Sequence, residues 1–296
     1  MGGFDTITFL SDYGTADEFV GVVKSVLREL APGAVVIDLT HEVPPHDVRA
    51  GGLTLARAMQ YVAPGVVLAV VDPGVGTDRR AVAVEVAEGA GVLVGPDNGL
   101  LAPAVAMAGG ANRAVELSDP EYHLPAPGPT FAGRDVFAPV AAHLCNGVPL
   151  GDLGPALDPA LLLPGIVPVS RDEDGWVVAE VLWVDRFGNA QLNLGPDDVP
   201  GMDEPDGRLS VRTDGRNRTM GVAATYGAIR PGEIALVVDS YGLVSLAADR
   251  SSAAGELGLD VGAEVRIAPI EEDDASGGTR TSVRLGPARP VPEGPA

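Results

Sequence analysis

Residues 66–79 read Val-Val-Leu-Ala-Val-Val-Asp-Pro-Gly-Val-Gly-Thr-Asp-Arg, an apolar run that ends in a Gly/Pro turn opening with Asp72 and closing with Arg79. An uninterrupted apolar run of this length, bounded by a turn, fits a strand covered on both faces, as strands of parallel sheets are. Its neighbours alternate in period. Residues 7–10 form a short apolar run stopping at Ser11-Asp12-Tyr13-Gly14, and 18–30 place Phe19, Val22, Val23, Val26, Leu27 and Leu30 at helical spacing. A second strand over 35–39 stops at Thr40-His41-Glu42, and 48–62 read as a second amphipathic helix. Residues 81–86 and 92–94 supply further strands, followed by a short helix after Leu101 and another over 136–146. Strands alternating with helices predict an α/β, Rossmann-like domain with a mostly parallel sheet. Ligands of such sheets bind beyond the carboxyl ends of the strands.

The pattern changes after the prolines at 155, 159 and 164. Residues 176–184, 191–194, 209–212, 234–238, 244–246 and 264–267 are short strand-like runs separated by Gly, Pro and Asp, which predict a small antiparallel β domain, barrel or sandwich. The expected organisation is 1–165 as the α/β domain, 170–270 as the β domain, and 271–296 as a mobile tail of acids, glycines and prolines.

The chain has 296 residues, 46% hydrophobic and 21% charged, and no apolar stretch long enough to span a bilayer. With no signal-peptide pattern at its start, the cytoplasm is the expected compartment and a membrane partner is not. A formal charge of −21, from 41 acids against 20 bases, opposes binding to a phosphate backbone, so nucleic acid is not an expected partner. A single cysteine, Cys145, excludes an internal disulfide. The four histidines lack zinc-ligand spacing, so no metal site is expected. There is no G-x-G-x-x-G, no phosphate loop and no G-x-S-x-G elbow.

Three strand ends finish in polar clusters: Ser11-Asp12-Tyr13-Gly14-Thr15 with Asp17, then Asp38 with His41, then Asp72 to Arg79. Taken singly, each reads as an Asx turn or a helix cap. In a parallel sheet, however, all three reach one edge, where a pocket is expected. Asp97-Asn98-Gly99 and Phe187-Gly188-Asn189 read as turns on composition alone.

The order of the segments is specific. Phe9-Leu10-Ser11-Asp12-Tyr13-Gly14, Asp38-Leu39-Thr40-His41, Val71-Asp72-Pro73-Gly74-Val75-Gly76-Thr77, Gly95-Pro96-Asp97-Asn98-Gly99, Thr130-Phe131-Ala132-Gly133-Arg134-Asp135 and Asp185-Arg186-Phe187-Gly188-Asn189 together resemble the S-adenosyl-L-methionine hydroxide adenosyltransferases, relatives of fluorinases and chlorinases. The resemblance spans roughly residues 5–268. It implies an α/β N-terminal domain, a C-terminal β-barrel, and a homotrimer with active sites between one subunit's N-domain and its neighbour's C-domain. It also implies hydrolysis of S-adenosyl-L-methionine to adenosine and methionine, with that molecule as substrate and no cofactor.

Carried over by position, Asp72 and Arg79 match two members of the family's Asp-Arg-His catalytic set. Asp12 matches a ribose-hydroxyl ligand, and Asp17, Asp185 and Ser240 match positions around the methionine moiety. Phe187 and Asn189 match adenine contacts, as do Tyr226 and the backbone near Arg250, and Phe131 matches an apolar wall. His46 stands where halogenating relatives carry tryptophan. The third catalytic position, histidine in the family, is Ala132 here. Loss of a general base forfeits about 10²–10⁴-fold in rate, so the resemblance implies an impaired hydrolase with substrate binding retained. The two alternatives are a non-catalytic trimer binding S-adenosyl-L-methionine or adenosine, and a chlorinase-like halide adenosyltransferase. Against the latter stands Asp72, where halogenases carry tyrosine.

Overall fold

The computed structural model describes residues 3–204 and 207–270; the tail expected at 271–296 lies outside the described residues. The chain divides into two compact units, Met1–Val169 and Ser170–Ala296.

The first unit runs β1 (Thr6–Ser11), α1 (Phe19–Leu30), β2 (Val35–Thr40), α2 (Val48–Ala58), β3 (Gly65–Val70), β4 (Ala81–Val86), β5 (Gly91–Pro96), α3 (Ala102–Met107), β6 (Ala111–Glu116), α4 (Ala138–Cys145) and β7 (Ala156–Leu157). The sheet order is β2-β1-β3-β5-β4-β6-β7. β2, β1, β3 and β5 are parallel neighbours, and β6 points the same way because β4 is antiparallel to both β5 and β6. The sheet is therefore mostly parallel, with β4 and β7 reversed. β4 and β5 are joined by only 87–90, too short for the crossover that a parallel pair requires.

β3 is buried along its whole length, and its side chains alternate between two cores. Val66, Leu68 and Val70 face a layer containing Val23 and Leu27 of α1 and Val140 and Leu144 of α4. Val67, Ala69 and Val71 face a layer containing Leu55 of α2 and Ala104 of α3. Each of these valine and leucine side chains stabilises the fold by about 1.5–3 kcal/mol relative to exposure. Register pairs Ser11 with Val70 and Leu68 with Val94, bringing the ends of β1, β3 and β5 to one edge. The loop 72–79 starts at that edge. Among the described residues no helix is long and apolar enough to cross a membrane.

The second unit contains β8 (Arg171–Glu173), β9 (Trp176–Val184), β10 (Ala190–Leu192), β11 (Arg208–Thr213), β12 (Arg216–Val222), β13 (Ile234–Val238), β14 (Val244–Ala248), α5 (Ala253–Leu257) and β15 (Glu264–Pro269). Pairing runs β10-β14-β13-β12-β11-β15-β9, and β9 also pairs with β10, so seven strands close into a barrel with β8 alongside β9. Closure leaves no free edge within the ring and encloses Val181, Leu192, Val211, Leu236, Leu246, Val265 and Ile267. Every pairing is antiparallel except β12 with β13.

Candidate active site

The loop after β3 is folded around its own first and last residues. The Val75 amide donates to the Asp72 carbonyl at 3.2 Å, the Thr77 hydroxyl to the Gly74 carbonyl at 2.6 Å, and Gly76 takes φ +78°, which a glycine adopts without strain. This brings Arg79 back onto Asp72 in a two-pronged pair: Nε to Oδ1 at 2.8 Å and Nη2 to Oδ2 at 2.5 Å. Both side chains are largely buried, and the Arg79 guanidinium lies 5.1 Å from the centre of the Phe137 ring. Asn98 supports the same strand end, donating from Nδ2 to the Val71 carbonyl at 2.8 Å.

Asp72 opens into a cleft of about 570 Å³ whose lining includes Asp12, Tyr13, Phe19, His46, Phe131 and Ala132. Asp12 follows β1, and its Oδ2 accepts the His46 backbone N–H at 2.9 Å; His46 has φ +68°, an uncommon conformation for a non-glycine residue. Tyr13, Phe19 and Phe131 pack edge-to-face or tilted with ring centres 5.2 to 5.7 Å apart, giving the cleft one apolar wall. Burial first, then the neighbouring Asp12 and Asp72 carboxylates, hold the Tyr13 phenol well above the ordinary tyrosine range, so it stays a neutral hydroxyl. Opposite Tyr13, a Cβ on Gly133 would lie 2.1 Å from the phenolic oxygen, so only glycine lets these segments meet. Gly133 begins a π-helical turn, Gly133–Phe137, that runs into α4 and buries Asp135. Wide turns of this kind recur at functional sites.

Sequence-expected residues divide by location. Asp12, His46, Asp72, Phe131 and Ala132 converge on the cleft, with Arg79 behind Asp72. Asp17 lies on the exposed turn before α1 and does not line it. Asp38 and His41 are engaged elsewhere: Asp38 meets Lys24 at 2.8 Å and His41 Nε2 at 3.2 Å, while His41 Nδ1 and the Ser11 hydroxyl are 2.8 Å apart. This chain braces β1 against β2. Asp97 clamps the segment after α4, taking the Leu163 N–H on Oδ1 and the Arg80 guanidinium on Oδ2.

In the barrel unit, Asp185 closes its own turn. Its Oδ1 accepts the backbone N–H of Phe187 and of Asn189 at 2.9 Å each, and Oδ2 accepts Asn189 Nδ2 at 2.8 Å. Phe187 is left 76% exposed at the tip, its ring free to stack. Ser240 sits on a turn organised by Asp239, which accepts from the Tyr241 and Leu243 amides, from Gln191 Nε2 at 2.6 Å and from the Ser245 hydroxyl at 3.0 Å. Burial and then the Asp239 and Asp185 carboxylates push the Tyr226 phenol up. Arg250 takes φ +53° and extends into solvent beside Asp249. Phe19 is a contributor to the cleft that residue patterns hid, because it reads as an ordinary helix residue.

Among the described residues no group of His, Cys, Asp and Glu is arranged to hold a metal ion. The cleft instead combines two carboxylates, an apolar wall and a guanidinium behind one carboxylate, an arrangement suited to a cationic, partly aromatic small molecule.

The sequence matches the SAM hydroxide adenosyltransferase N-terminal domain over residues 7–154 and the corresponding C-terminal domain over 179–266. An (R)-S-adenosyl-L-methionine hydrolase from Salinispora tropica is 48% identical over 261 residues, 88% of this chain and 97% of its own. One of the same name from Salinispora arenicola is 45% identical over 267 residues, covering 90% and 99%. Fluorinases match more distantly. The crystal structure of an uncharacterized conserved protein from Thermotoga maritima superposes with a TM-score of 0.82 at 35% identity, covering 88% of this chain and 99% of that one. The chain belongs to the SAM hydroxide adenosyltransferase family.

Proposed function

We propose that the protein hydrolyses S-adenosyl-L-methionine, delivering water to the ribose 5′-carbon and releasing adenosine and L-methionine. The observation that carries this reading is the cleft in which Asp12, Asp72 and the Tyr13, Phe19 and Phe131 rings face one space. A sulfonium is attracted by the carboxylates, the ribose hydroxyls can donate to Asp12, and the rings accept the apolar parts of the nucleoside. The leaving thioether is neutral, so the protein has mainly to hold water in line with the breaking bond, and positioning of this kind is worth several kcal/mol. Asp72, fixed by Arg79, orients that water, and the guanidinium stabilises negative charge growing on its oxygen. The names of the relatives specify the R epimer at sulfur, and the reading takes the same epimer as substrate.

Carboxylates at 12 and 72 disfavour a halide at the attacking position, which argues against 5′-halo-adenosine synthesis. Asp185, Asn189, Phe187, Tyr226, Ser240 and the backbone near Arg250 complete the site from the barrel of a neighbouring subunit in a homotrimer. The reaction runs in the cytoplasm with no metal or cofactor, so chelators leave the rate unchanged. Ala132 leaves the cleft without the family's histidine, and turnover is expected to be slower than in A132H.

Incubation with the R epimer, with and without chloride, followed by chromatography, tests the reading. Adenosine and methionine are expected in both cases. Calorimetric binding without product would instead indicate a binding protein, and 5′-chloro-5′-deoxyadenosine a halide transferase.

A further inference from the structure

Behind Ala132 lies a second, smaller cavity of about 270 Å³, lined among others by Arg79, Thr77, His123, Ala132 and Asp135. Ala132 lines both this cavity and the larger cleft. Arg79 links them as well, since its partner Asp72 faces the cleft. The cavity contains a histidine. His123 Nε2 is buried and has no hydrogen-bond partner among the described residues, a state that is costly unless the atom is used.

The position of His123 is fixed by its backbone. Its N–H donates to the Pro120 carbonyl at 3.2 Å, the Asp119 side chain caps the same turn through the Glu121 amide at 3.0 Å, and the Leu124 N–H donates to the Asp135 carbonyl at 2.8 Å. That last bond ties the histidine's neighbour to the π-helical turn that follows Ala132.

We propose that His123 accepts the proton of the attacking water, through water held in the cavity between Arg79 and Ala132, and so supplies from the opposite side what Ala132 lacks. This rests on the hydrolase reading above. The water oxygen bonds to the 5′-carbon as the carbon–sulfur bond breaks, the bond pair returns to sulfur as the methionine thioether, and the proton passes to Nε2 and on to solvent. A space of this size holds several waters at about 30 Å³ each. The charged groups at the cavity are Arg79 and Asp135 in its lining, and Asp119 lies on the histidine's own turn. Burial first, opposed by Asp119, holds the imidazole below the usual histidine value, which keeps it neutral and able to accept a proton near neutral pH.

The test compares kcat and KM of the full chain, H123Q, H123N, A132H and the double variant A132H/H123Q across pH, with melting temperature and calorimetric substrate affinity as controls. The amides keep bulk and polarity but cannot take up the proton. Expected are kcat about 100-fold lower in H123Q and H123N with KM little changed, disappearance of the acid limb of kcat, and recovery of kcat when A132H is added to H123Q. Undiminished kcat in both amide variants, with the acid limb intact, overturns the proposal. So does a full chain that makes no adenosine while A132H does. If neither releases adenosine, the hydrolase reading fails, and the role of His123 with it.

Discussion

Arg79 grips Asp72 through two parallel hydrogen bonds across seven residues of loop, Nε to Oδ1 at 2.8 Å and Nη2 to Oδ2 at 2.5 Å, at the carboxyl end of a fully buried strand. The carboxylate is therefore not free to rotate. Whatever it orients in the cleft is held as firmly as β3 itself.

Asp72→Asn keeps the size of the side chain but replaces one acceptor oxygen with a donor that faces a guanidinium. Arg79→Lys keeps charge and loses the fork. Each is expected to lower kcat/KM by about 10²–10³-fold, and Asp72→Asn, which leaves the largely buried Arg79 charge unpaired, is expected to lower the melting temperature as well. Steady-state kinetics with the R epimer, beside a thermal melt, checks this.

Gly133→Ala puts a Cβ 2.1 Å from the Tyr13 hydroxyl oxygen, so the ring, packed edge-on against Phe9 and Phe131, has to shift toward the cleft. Overpacking of this kind destabilises by about 1–3 kcal/mol. Adding Tyr13→Phe removes the clashing oxygen and is expected to recover much of that loss, read by chemical denaturation of the single and double variants.

Asp239 acts at a distance from the loop 72–79 in sequence and belongs to the barrel. Asp239→Asn weakens four hydrogen bonds that shape the turn bearing Ser240. If that turn grips the substrate equally before and during reaction, KM rises by about tenfold while kcat barely moves. A fall in kcat at saturating substrate would assign the turn a different role.

Stability should depend on pH through His123 and His143, both held below the usual histidine value chiefly by burial, with Asp119 opposing at the first and Glu121 at the second. For a group depressed in the folded state, the contribution is complete above the unfolded value and is lost as pH falls through the folded one. The melting temperature is therefore expected to drop between about pH 7 and pH 5, less steeply in H123Q than in the parent, with His143 responsible for part of the remaining slope.

Much of the first unit was legible because its signals are periodic. The apolar run 66–71 became β3 almost to the residue, and the helical spacing from Phe19 to Leu30 became α1. Direction was harder to read: a strand pattern carries no arrow, so β4 was expected within a parallel alternation although the short connection 87–90 already required a hairpin. β6 was missed because Ala111–Glu116 is polar along half its length. β12, with four exposed residues, was missed for the same reason, although Asp214-Gly215 before it is a hairpin signal. In the cleft, the carboxylates announced themselves at strand ends. The second cavity did not, because the proximity of His123 to Ala132 depends on how a proline-rich strap lies over the π-helical turn.

The most direct measurement is the fate of oxygen when the protein turns over the R epimer of S-adenosyl-L-methionine in water enriched in ¹⁸O. Adenosine carrying one ¹⁸O at the 5′-hydroxyl is expected, with unlabelled methionine released in equal amount, and loss of that product in Asp72→Asn. Intact substrate recovered from both the parent chain and A132H, or adenosine whose 5′-oxygen is unlabelled, would contradict it.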